Sequence, residues 1–182
     1  TQMKATGEVM AIGTSFEQAM MKAVRSIELG LDTLDYKKLK DKTDDEIVAL
    51  LHNCDDERIF VVYEALVRGI PAETIHGITM IDHWFLAKLK NLVDLESYLA
   101  DGPLTEQKYK IAKKYGFLDK TAEKLSGCKI DPAWKRFASY KMVDTCAAEF
   151  SAETPYFYST YDQENEAAEF LQHHPTGKKK VL

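Results

Sequence analysis

The sequence predicts a mainly α-helical protein: an irregular bundle of short helices, with short extended segments at both termini and an irregular connector over residues 139–162. Three observations predict this fold. Between residues 14 and 138, apolar residues recur at helical spacing, hydroxyl or acidic caps precede most of the runs, and Gly or Pro follows them. The chain has 182 residues, 45% hydrophobic and 29% charged. That is enough for one well-cored domain or two small ones.

Two capping boxes predict the first two helices. Thr14 and Glu17 have the required spacing ahead of an apolar stripe that Gly30 ends. Thr43 and Glu46 repeat that spacing ahead of the next apolar run. In such a box the hydroxyl and the carboxylate each accept a hydrogen bond from a backbone N–H, so two donors at the helix start are satisfied.

The middle of the chain predicts three further helices. Asp55 or Asp56 can cap a helix that ends at Gly69, and Pro71 suits the first turn of a short one, PAETIH. Asp82 opens the longest helix, whose wide apolar face predicts a central position in the bundle. The apolar residues of this helix are Trp84, Phe85, Leu89, Leu92, Val93, Leu95 and Leu99.

Two short helices and a final one complete the predicted bundle. Thr105 caps a helix that Gly116 ends, and residues 119–127 form another. The last helix is expected to contain Asp131, Pro132, Trp134 and Phe137.

Both termini predict strands without a nearby partner. The segment EVMAI precedes Gly13, and the segment KKKVL occupies residues 178–182. Unpaired strands expose backbone groups that proteins normally pair or cover. We therefore expect the chain to be a piece of a longer protein.

Charge and cysteine content bound the function. A net charge of -5 and a pI near 5.6 disfavour a broad nucleic-acid surface, because phosphate binding needs an excess of Lys and Arg. No apolar run in the sequence is long enough to cross a bilayer, and the N-terminus lacks the pattern of a secretory signal. Cys54, Cys128 and Cys146 form no CxxC pair, which indicates reduced thiols in a cytosolic setting and no zinc site.

The segment from Tyr140 to Ala167 contains the candidate nucleophile, Cys146. A thiol nucleophile needs a base or a helix N-terminus to lower its pKa, and no His lies near Cys146 in sequence. A packed, inert thiol is the favoured interpretation, and an independent thiol enzyme is the alternative. Asp144 and Glu149 could form a carboxylate pair, but pairing with backbone or basic groups is favoured.

The histidines suggest no metal site. His52 and Cys54, followed by Asp55 and Asp56, lack four-ligand zinc spacing and are interpreted as a helix end with its cap. His83 is placed in the first turn of the long helix. The two adjacent histidines at 173–174 are placed in a solvated linker. The residues of that pair are His173 and His174.

The segment KIAKKYGFLDKTAEKL could form a helix-turn-helix. Its second helix would present Lys120, Thr121, Glu123 and Lys124 to DNA, and the acid would repel phosphate. A solvated face of a helical hairpin is favoured over a nucleic-acid binder. The chain also lacks a glycine-rich phosphate loop with its lysine.

Several segments together resemble the carbamoyl phosphate synthase large chain. The similar segments are Met3–Gly13 (MKATGEVMAIG), Ile81–Leu86 (IDHWFL), Lys113–Lys120 (KKYGFLDK), Tyr140–Phe150 (YKMVDTCAAEF) and Thr154–Tyr161 (TPYFYSTY). Their order and spacing also agree with that family. Three departures occur: Thr14 stands where many members carry Arg, Leu118 where a Ser cap is common, and Cys128–Trp134 follows no family pattern.

The resemblance implies a division of the chain. Residues 1–13 would close the carboxyphosphate half, and residues 14–138 would be the helical oligomerization domain. Residues 139–170 would be a connector, and residues 171–182 would begin the carbamoyl phosphate half. The aromatic run in the connector would then anchor it between large domains, since one buried ring removes a large apolar area from water. Polar groups able to satisfy its backbone are Asp144, Thr145, Glu149, Thr154 and Ser159.

The resemblance also implies a function. The whole enzyme would make carbamoyl phosphate from bicarbonate, glutamine-derived ammonia and two ATP, in the cytoplasm, for arginine and pyrimidine biosynthesis. ATP, Mg or Mn, and K would bind to its two ATP-grasp halves. This fragment would contain no catalytic, cofactor-binding or metal-binding residue. Its partners would be the other domains of the large chain, a glutaminase small subunit in the parent and a second copy of itself, with no nucleic acid and no membrane.

Overall fold

The computed structural model describes residues 9–135, 137–143, 156–175 and 177. It contains two compact units, Thr1–Trp134 and Lys135–Leu182, each described by itself below. The helices of the first unit are α1 (Phe16–Ser26), α2 (Asp44–Leu50), α3 (Arg58–Val67), α4 (Ala72–Thr79), α5 (His83–Ala100), α6 (Glu106–Lys114) and α7 (Asp119–Ser126). Single 3₁₀ turns occur at Lys37–Leu39 and Pro132–Trp134. The mainly α-helical prediction is confirmed.

The caps of the first two helices differ in outcome. The α2 box is confirmed, since the Thr43 hydroxyl accepts from the Glu46 N–H at 3.3 Å and the Glu46 carboxylate accepts from the Thr43 N–H at 2.7 Å. The predicted Thr14 cap of α1 is wrong. Ser15 caps α1 by accepting from the Gln18 N–H at 3.2 Å, and the Gln18 amide oxygen accepts from the Thr14 N–H at 2.9 Å.

The starts of α3 and α4 also differ from the prediction. Glu57 precedes α3 and makes no side-chain cap, while the Asp55 carboxylate accepts from the Glu57 N–H at 3.2 Å. Neither predicted aspartate is therefore the N-cap. Pro71 stands one residue before α4, which continues beyond PAETIH to Thr79. There the left-handed Met80, at φ 58°, ends the helix.

The longest helix lies at the centre of the first unit, as predicted. Helix α5 is 18 residues long, and the Asp82 carboxylate caps it by accepting from the Trp84 N–H at 2.8 Å. It packs against α1, α3, α4, α6 and α7. Its buried residues are Leu86, Leu89, Leu92, Val93, Leu95 and Leu99.

The predicted last helix is wrong. Only one 3₁₀ turn forms, closed by a hydrogen bond from the Trp134 N–H to the Asp131 carbonyl at 2.9 Å. Ile130 inserts into the core and Trp134 packs against it, whereas Phe137 is fully exposed. Ile130 and Trp134 therefore pack on the bundle although this segment forms no α-helix.

The second unit contains a strand pair and a helix. Strand β1 (Ser139–Met142) pairs antiparallel with β2 (Phe157–Thr160), with Ser139 opposite Thr160. Helix α8 (Glu166–His173) packs on β1. The Lys141 ammonium binds the carboxylates of Glu164 and Glu166, which ties the strand to the start of the helix.

These elements correct two predictions for the C-terminal region. The segment 139–162 is not irregular throughout, because its two ends pair as strands rich in aromatic and β-branched residues. The linker predicted at His173 and His174 is the end of α8, which Asn165 caps by accepting from the Ala168 N–H at 3.3 Å. At the termini, residues 9–13 form no strand, and the strand predicted at 178–182 lies outside the described residues.

A buried ionic network joins α3 to the segment between α1 and α2. Glu64 is only 4% exposed, and its carboxylate lies 2.8 Å from both Arg68 Nε and Lys40 Nζ. Arg68 also donates to the carbonyls of Leu39 and Lys42, at 2.9 and 2.7 Å. One guanidinium therefore satisfies a buried carboxylate and two backbone acceptors, a geometry that suits its planar set of donors.

We expect Arg68→Lys to destabilise the bundle. A lysine ammonium lacks the planar set of donors that reaches Glu64 and both carbonyls, so buried acceptors lose partners. The denaturation midpoint in urea should fall clearly. Asp44→Asn is the matched control, because Asp44 contacts the same guanidinium at 2.9 Å but its side chain is 73% exposed. Equal midpoints for Arg68→Lys and the wild type would contradict the assigned role.

A second buried polar pair lies between α3 and α5. Neither Tyr63 Oη nor Glu96 Oε1 has a hydrogen-bond partner of good geometry among the described residues, although both atoms are buried. Burial raises the pKa of Glu96, and the negative charge of Asp35 raises it further. Burial also raises the pKa of Tyr63, as does the nearby Glu96 carboxylate. The arrangement favours a neutral Glu96.

We expect Glu96→Gln to change how stability depends on pH. Since the folded-state pKa of Glu96 lies above its unfolded value, its stabilising contribution is full at acidic pH and is lost as pH rises through the folded pKa. Glutamine does not titrate, so the variant should gain stability relative to the wild type as pH rises from the unfolded-state pKa of Glu96 through its raised folded-state pKa. Urea denaturation across that range measures the difference. Parallel pH profiles for the two proteins would show that Glu96 is ionised throughout.

Candidate association surface

Three aromatic rings form an exposed cluster where α1 and the first turn of α5 meet. We call Phe16, Trp84 and Phe85 the aromatic patch. The ring centroids lie 5.0 to 5.6 Å apart, all in edge-on arrangements. Trp84 is 52% exposed and Phe85 is 45% exposed, although the sequence placed both on the buried face of α5. Successive residues of a helix point about 100° apart, so a run as wide as this one cannot be buried on one side.

A buried carboxylate fixes the patch in position. Glu17 is 2% exposed and accepts from the Asn91 amide at 2.9 Å, with Lys88 Nζ at 3.4 Å. These contacts hold the start of α1 against α5. Burial alone would raise the pKa of Glu17, but the hydrogen bond from Asn91 and the charge of Lys88 outweigh it, and the pKa is lowered. The attachment is therefore present at neutral pH and weakens as pH falls through that lowered value.

Lys88 and Asp82 form the polar rim of the patch. Lys88 Nζ lies 5.4 Å from the centre of the Trp84 ring, within range of a cation–π contact. The Asp82 cap fixes the backbone of Trp84. An exposed aromatic cluster with a charged rim on rigid helices is typical of protein–protein contacts.

An apolar groove lies along the first two turns of α5, on the other side of the helix from the aromatic patch. Its volume is about 440 Å³, and it runs between the C-terminal end of α3, the start of α4 and α5. His83 at its edge stacks on His76, with ring centroids 4.2 Å apart. Met80, which ends α4 in the left-handed conformation, is 74% exposed. Apolar surface is thus exposed on two sides of α5 near its N-terminus.

The residues singled out for thiol chemistry do not form a site in the described part of the chain. Cys146 and the acids Asp144 and Glu149 lie outside the described residues. Cys54 is exposed in the turn between α2 and α3, where its sulfur is 3.3 Å from an Arg58 nitrogen. His52 lies in the same turn.

The second helix of the possible helix-turn-helix is α7. Lys120 pairs with Asp32 at 2.8 Å and Glu123 pairs with Lys129 at 2.8 Å, so both charges are used within the bundle. Thr121 is buried. Leu118 precedes the helix without a side-chain cap. Helix α7 therefore packs through one face and exposes few groups that could contact bases.

The described residues offer no cluster of ligands to a metal ion. Over residues 9–135, 137–143, 156–175 and 177, no group of three His, Cys, Asp or Glu side chains could hold a metal ion. Within those same ranges, no helix is long and apolar enough to cross a membrane. The sequence places the residues of the aromatic patch on buried helix faces, whereas the structure exposes Trp84 and Phe85. The signal in the sequence that could have indicated this exposure is the pair of consecutive aromatic residues at the start of α5.

Comparison with known proteins identifies the chain. A family model described as "Carbamoyl-phosphate synthetase large chain, oligomerisation domain" matches residues 8–137. A carbamoyl phosphate synthase large chain from Methanothrix thermoacetophila is 45% identical over 188 residues, covering 100% of this chain and 17% of the relative. Proteins of the same name from Lachnoclostridium phytofermentans and Agathobacter rectalis are 46% and 49% identical, covering 91% and 93% of this chain and 16% of each relative.

The family match and the relatives differ in how much of their length they share with this chain. The chain spans about one-sixth of the length of these relatives, and the family match covers the whole helical bundle from the segment before α1 to the turn at Trp134. The resemblance drawn from the sequence motifs is therefore confirmed: the chain belongs to the oligomerisation-domain family of the carbamoyl phosphate synthetase large chain.

Proposed function

We propose that this chain holds copies of a carbamoyl phosphate synthase large chain together, that it does so through the aromatic patch, and that it supplies no reacting group. The observation that carries the proposal is the exposure of Trp84 and Phe85 on α5, a helix otherwise buried by its neighbours. Large aromatic residues on a rigid, well-packed support are the usual centres of binding energy at protein interfaces.

The patch suits contact with a second copy of itself. Most homo-oligomers are closed by a two-fold axis, which brings the same patch of both copies together. Edge-on aromatic contacts such as those within the patch can continue across such an axis. Lys88 at the rim would remain near solvent, where its charge discourages unrelated apolar partners.

The chemistry of the whole protein belongs to other parts of its length. In this proposal the parent is an ATP-dependent ligase that makes carbamoyl phosphate from bicarbonate, ammonia released from glutamine, and two ATP. The residues described here do not fit ATP and its metals, since they lack both a glycine-rich phosphate loop and a three-ligand cluster. ATP, Mg or Mn, and K would bind elsewhere, and a glutaminase small subunit would supply ammonia, all in the cytoplasm.

The division of the chain into domains follows from the same proposal. Residues 1–13 would end the carboxyphosphate half and residues 14–138 would be the association domain. Residues 139–170, with the strand pair and the first residues of α8, would lead to the carbamoyl phosphate half beginning at 171–182. The separation of the bundle and the C-terminal unit near residue 134 supports a boundary there.

The patch makes a sharp prediction for self-association. The double substitution Trp84→Ala and Phe85→Ala should raise the dissociation constant of the self-associated chain at least about tenfold, because two central aromatic contacts are lost. Sedimentation velocity over a range of concentrations measures this change. Tyr98→Ala is the matched control, since Tyr98 lies on the same helix and is 42% exposed, and it should leave association unchanged.

Two results would contradict this proposal. One is association that survives the double substitution, which would place the contact elsewhere. The other is a wild-type chain that stays monomeric to about 1 mM, weaker than most specific contacts. Urea denaturation of the double variant verifies that it folds, as expected for residues that are about half exposed.

The absence of reacting groups is tested directly with substrates. The chain mixed with ATP, Mg²⁺ and bicarbonate should give no turnover, because the described residues contain no three-ligand cluster for the metal of ATP and the sequence has no glycine-rich phosphate loop. Calorimetric titration should show no ATP binding in the micromolar range. Micromolar affinity, or release of ADP above the background rate, would refute this part of the proposal.

A further inference from the structure

A cleft beside α7 is unrelated to the aromatic patch. Its volume is about 560 Å³, and it lies between residues 29–38 on one side and Lys120, Thr121 and Lys124 on the other. That volume is within the range of small-molecule sites in proteins. The association function proposed above makes no use of it.

The cleft is positively charged although the protein is not. Four lysines and two aspartates line it, which leaves an excess of positive charge, whereas the chain as a whole carries a net charge of -5. Both aspartates are already paired, Asp32 with Lys120 at 2.8 Å and Asp35 with Lys40 at 2.9 Å. Their charges are therefore largely neutralised at the cleft.

Two of the four lysines remain available to a ligand. Lys38 is 3.3 Å from the Glu57 carboxylate, and Lys120 is occupied by its aspartate. Lys37 and Lys124 line the cleft from opposite walls and make no ion pair with any residue in the described ranges. Two lysines that line a common space are suited to a single oxyanion.

The wall opposite α7 is held in place before any ligand arrives. Leu34 is 1% exposed and anchors this segment in the core. The Thr33 hydroxyl accepts from the Asp35 N–H at 3.1 Å, which fixes the turn. The Tyr36 hydroxyl donates to Glu57 at 3.0 Å, and its ring lies 4.9 Å from that of Phe60. A ligand would therefore lose little affinity to ordering the wall.

A hydroxyl in the α7 wall lacks a partner. Thr121 is 7% exposed, lies one residue from Lys120 in the cleft lining, and its Oγ1 has no hydrogen-bond partner in the described structure. A buried polar group without a partner is costly and uncommon. Rotation about its Cα–Cβ bond would let this hydroxyl donate to a bound oxygen, which would remove that cost.

We propose that this basic cleft binds a small organic anion, with a phosphate or carboxylate held between Lys37 and Lys124 and its apolar part against Leu29, Leu31 and Tyr36. The cleft volume favours a small molecule over an acidic segment of polypeptide. The cleft binds the anion and does no chemistry on it.

Titration of the chain with phenyl phosphate, benzoate and inorganic phosphate, followed by NMR chemical shifts, tests the proposal. Phenyl phosphate should bind more tightly than inorganic phosphate, because only the ester has a ring for the apolar wall. Its preference over benzoate, or the reverse, identifies which oxyanion the cleft takes. The double substitution Lys37→Gln and Lys124→Gln should weaken binding about five- to tenfold.

Matched variants separate this site from general attraction of anions. Lys110→Gln with Lys114→Gln on α6 removes the same charge away from the cleft and should leave the affinity unchanged. Thr121→Val should weaken binding without lowering the urea midpoint, because the lost hydroxyl has no partner. Equal weakening by the two lysine pairs, tighter binding of a glutamate-rich hexapeptide, or no binding of either ring compound at about 20 mM would overturn the proposal.

Discussion

The structure of the bundle depends on burying α5 from several directions at once. Five helices pack against it, and its leucines are nearly inaccessible to solvent. Burying one such side chain contributes roughly 1.5–3 kcal/mol, so this helix dominates the core. The short helices around it would be marginal alone, since isolated helices of eight to eleven residues are rarely stable. Its first turn carries the exposed Trp84 and Phe85 of the aromatic patch.

The central helix and most boundaries of its neighbours could be predicted from the sequence because they rest on local chemistry. The box of Thr43 and Glu46, the Asp82 cap and the stops at Gly69 and Gly116 need only neighbouring residues. The predicted stop of α1 at Gly30 is wrong, since α1 ends at Ser26. The α1 cap was misplaced by one residue because Ser15 with Gln18 offers the same pattern as Thr14 with Glu17. Choosing between them required knowing that Glu17 is drawn into the core by Asn91, a contact 74 residues away.

The parts that could not be predicted depend on long-range packing. Trp84 and Phe85 belong to an apolar run, and only the arrangement of the surrounding helices decides that they face solvent. The pairing of β1 with β2 joins segments that are far apart in sequence and individually weak as strands. The segment around Trp134 forms a single 3₁₀ turn because Ile130 and Trp134 pack on the core of the bundle. The motif resemblance carried the family assignment, which no propensity could have supplied.

Glu17 couples the segment before α1 to the exposed face of α5. Lys22 donates to the Ile12 carbonyl at 2.8 Å and Gln18 binds the Thr14 N–H, so residues 12–14 are attached to the same helix whose Glu17 is fastened to Lys88 and Asn91. Phe16, between these attachments, touches both Trp84 and Phe85. A displacement of the segment that leads into α1 would thus shift Phe16 relative to Trp84 and Phe85. In a much longer protein, such a linkage would couple an adjoining domain to the proposed contact between copies.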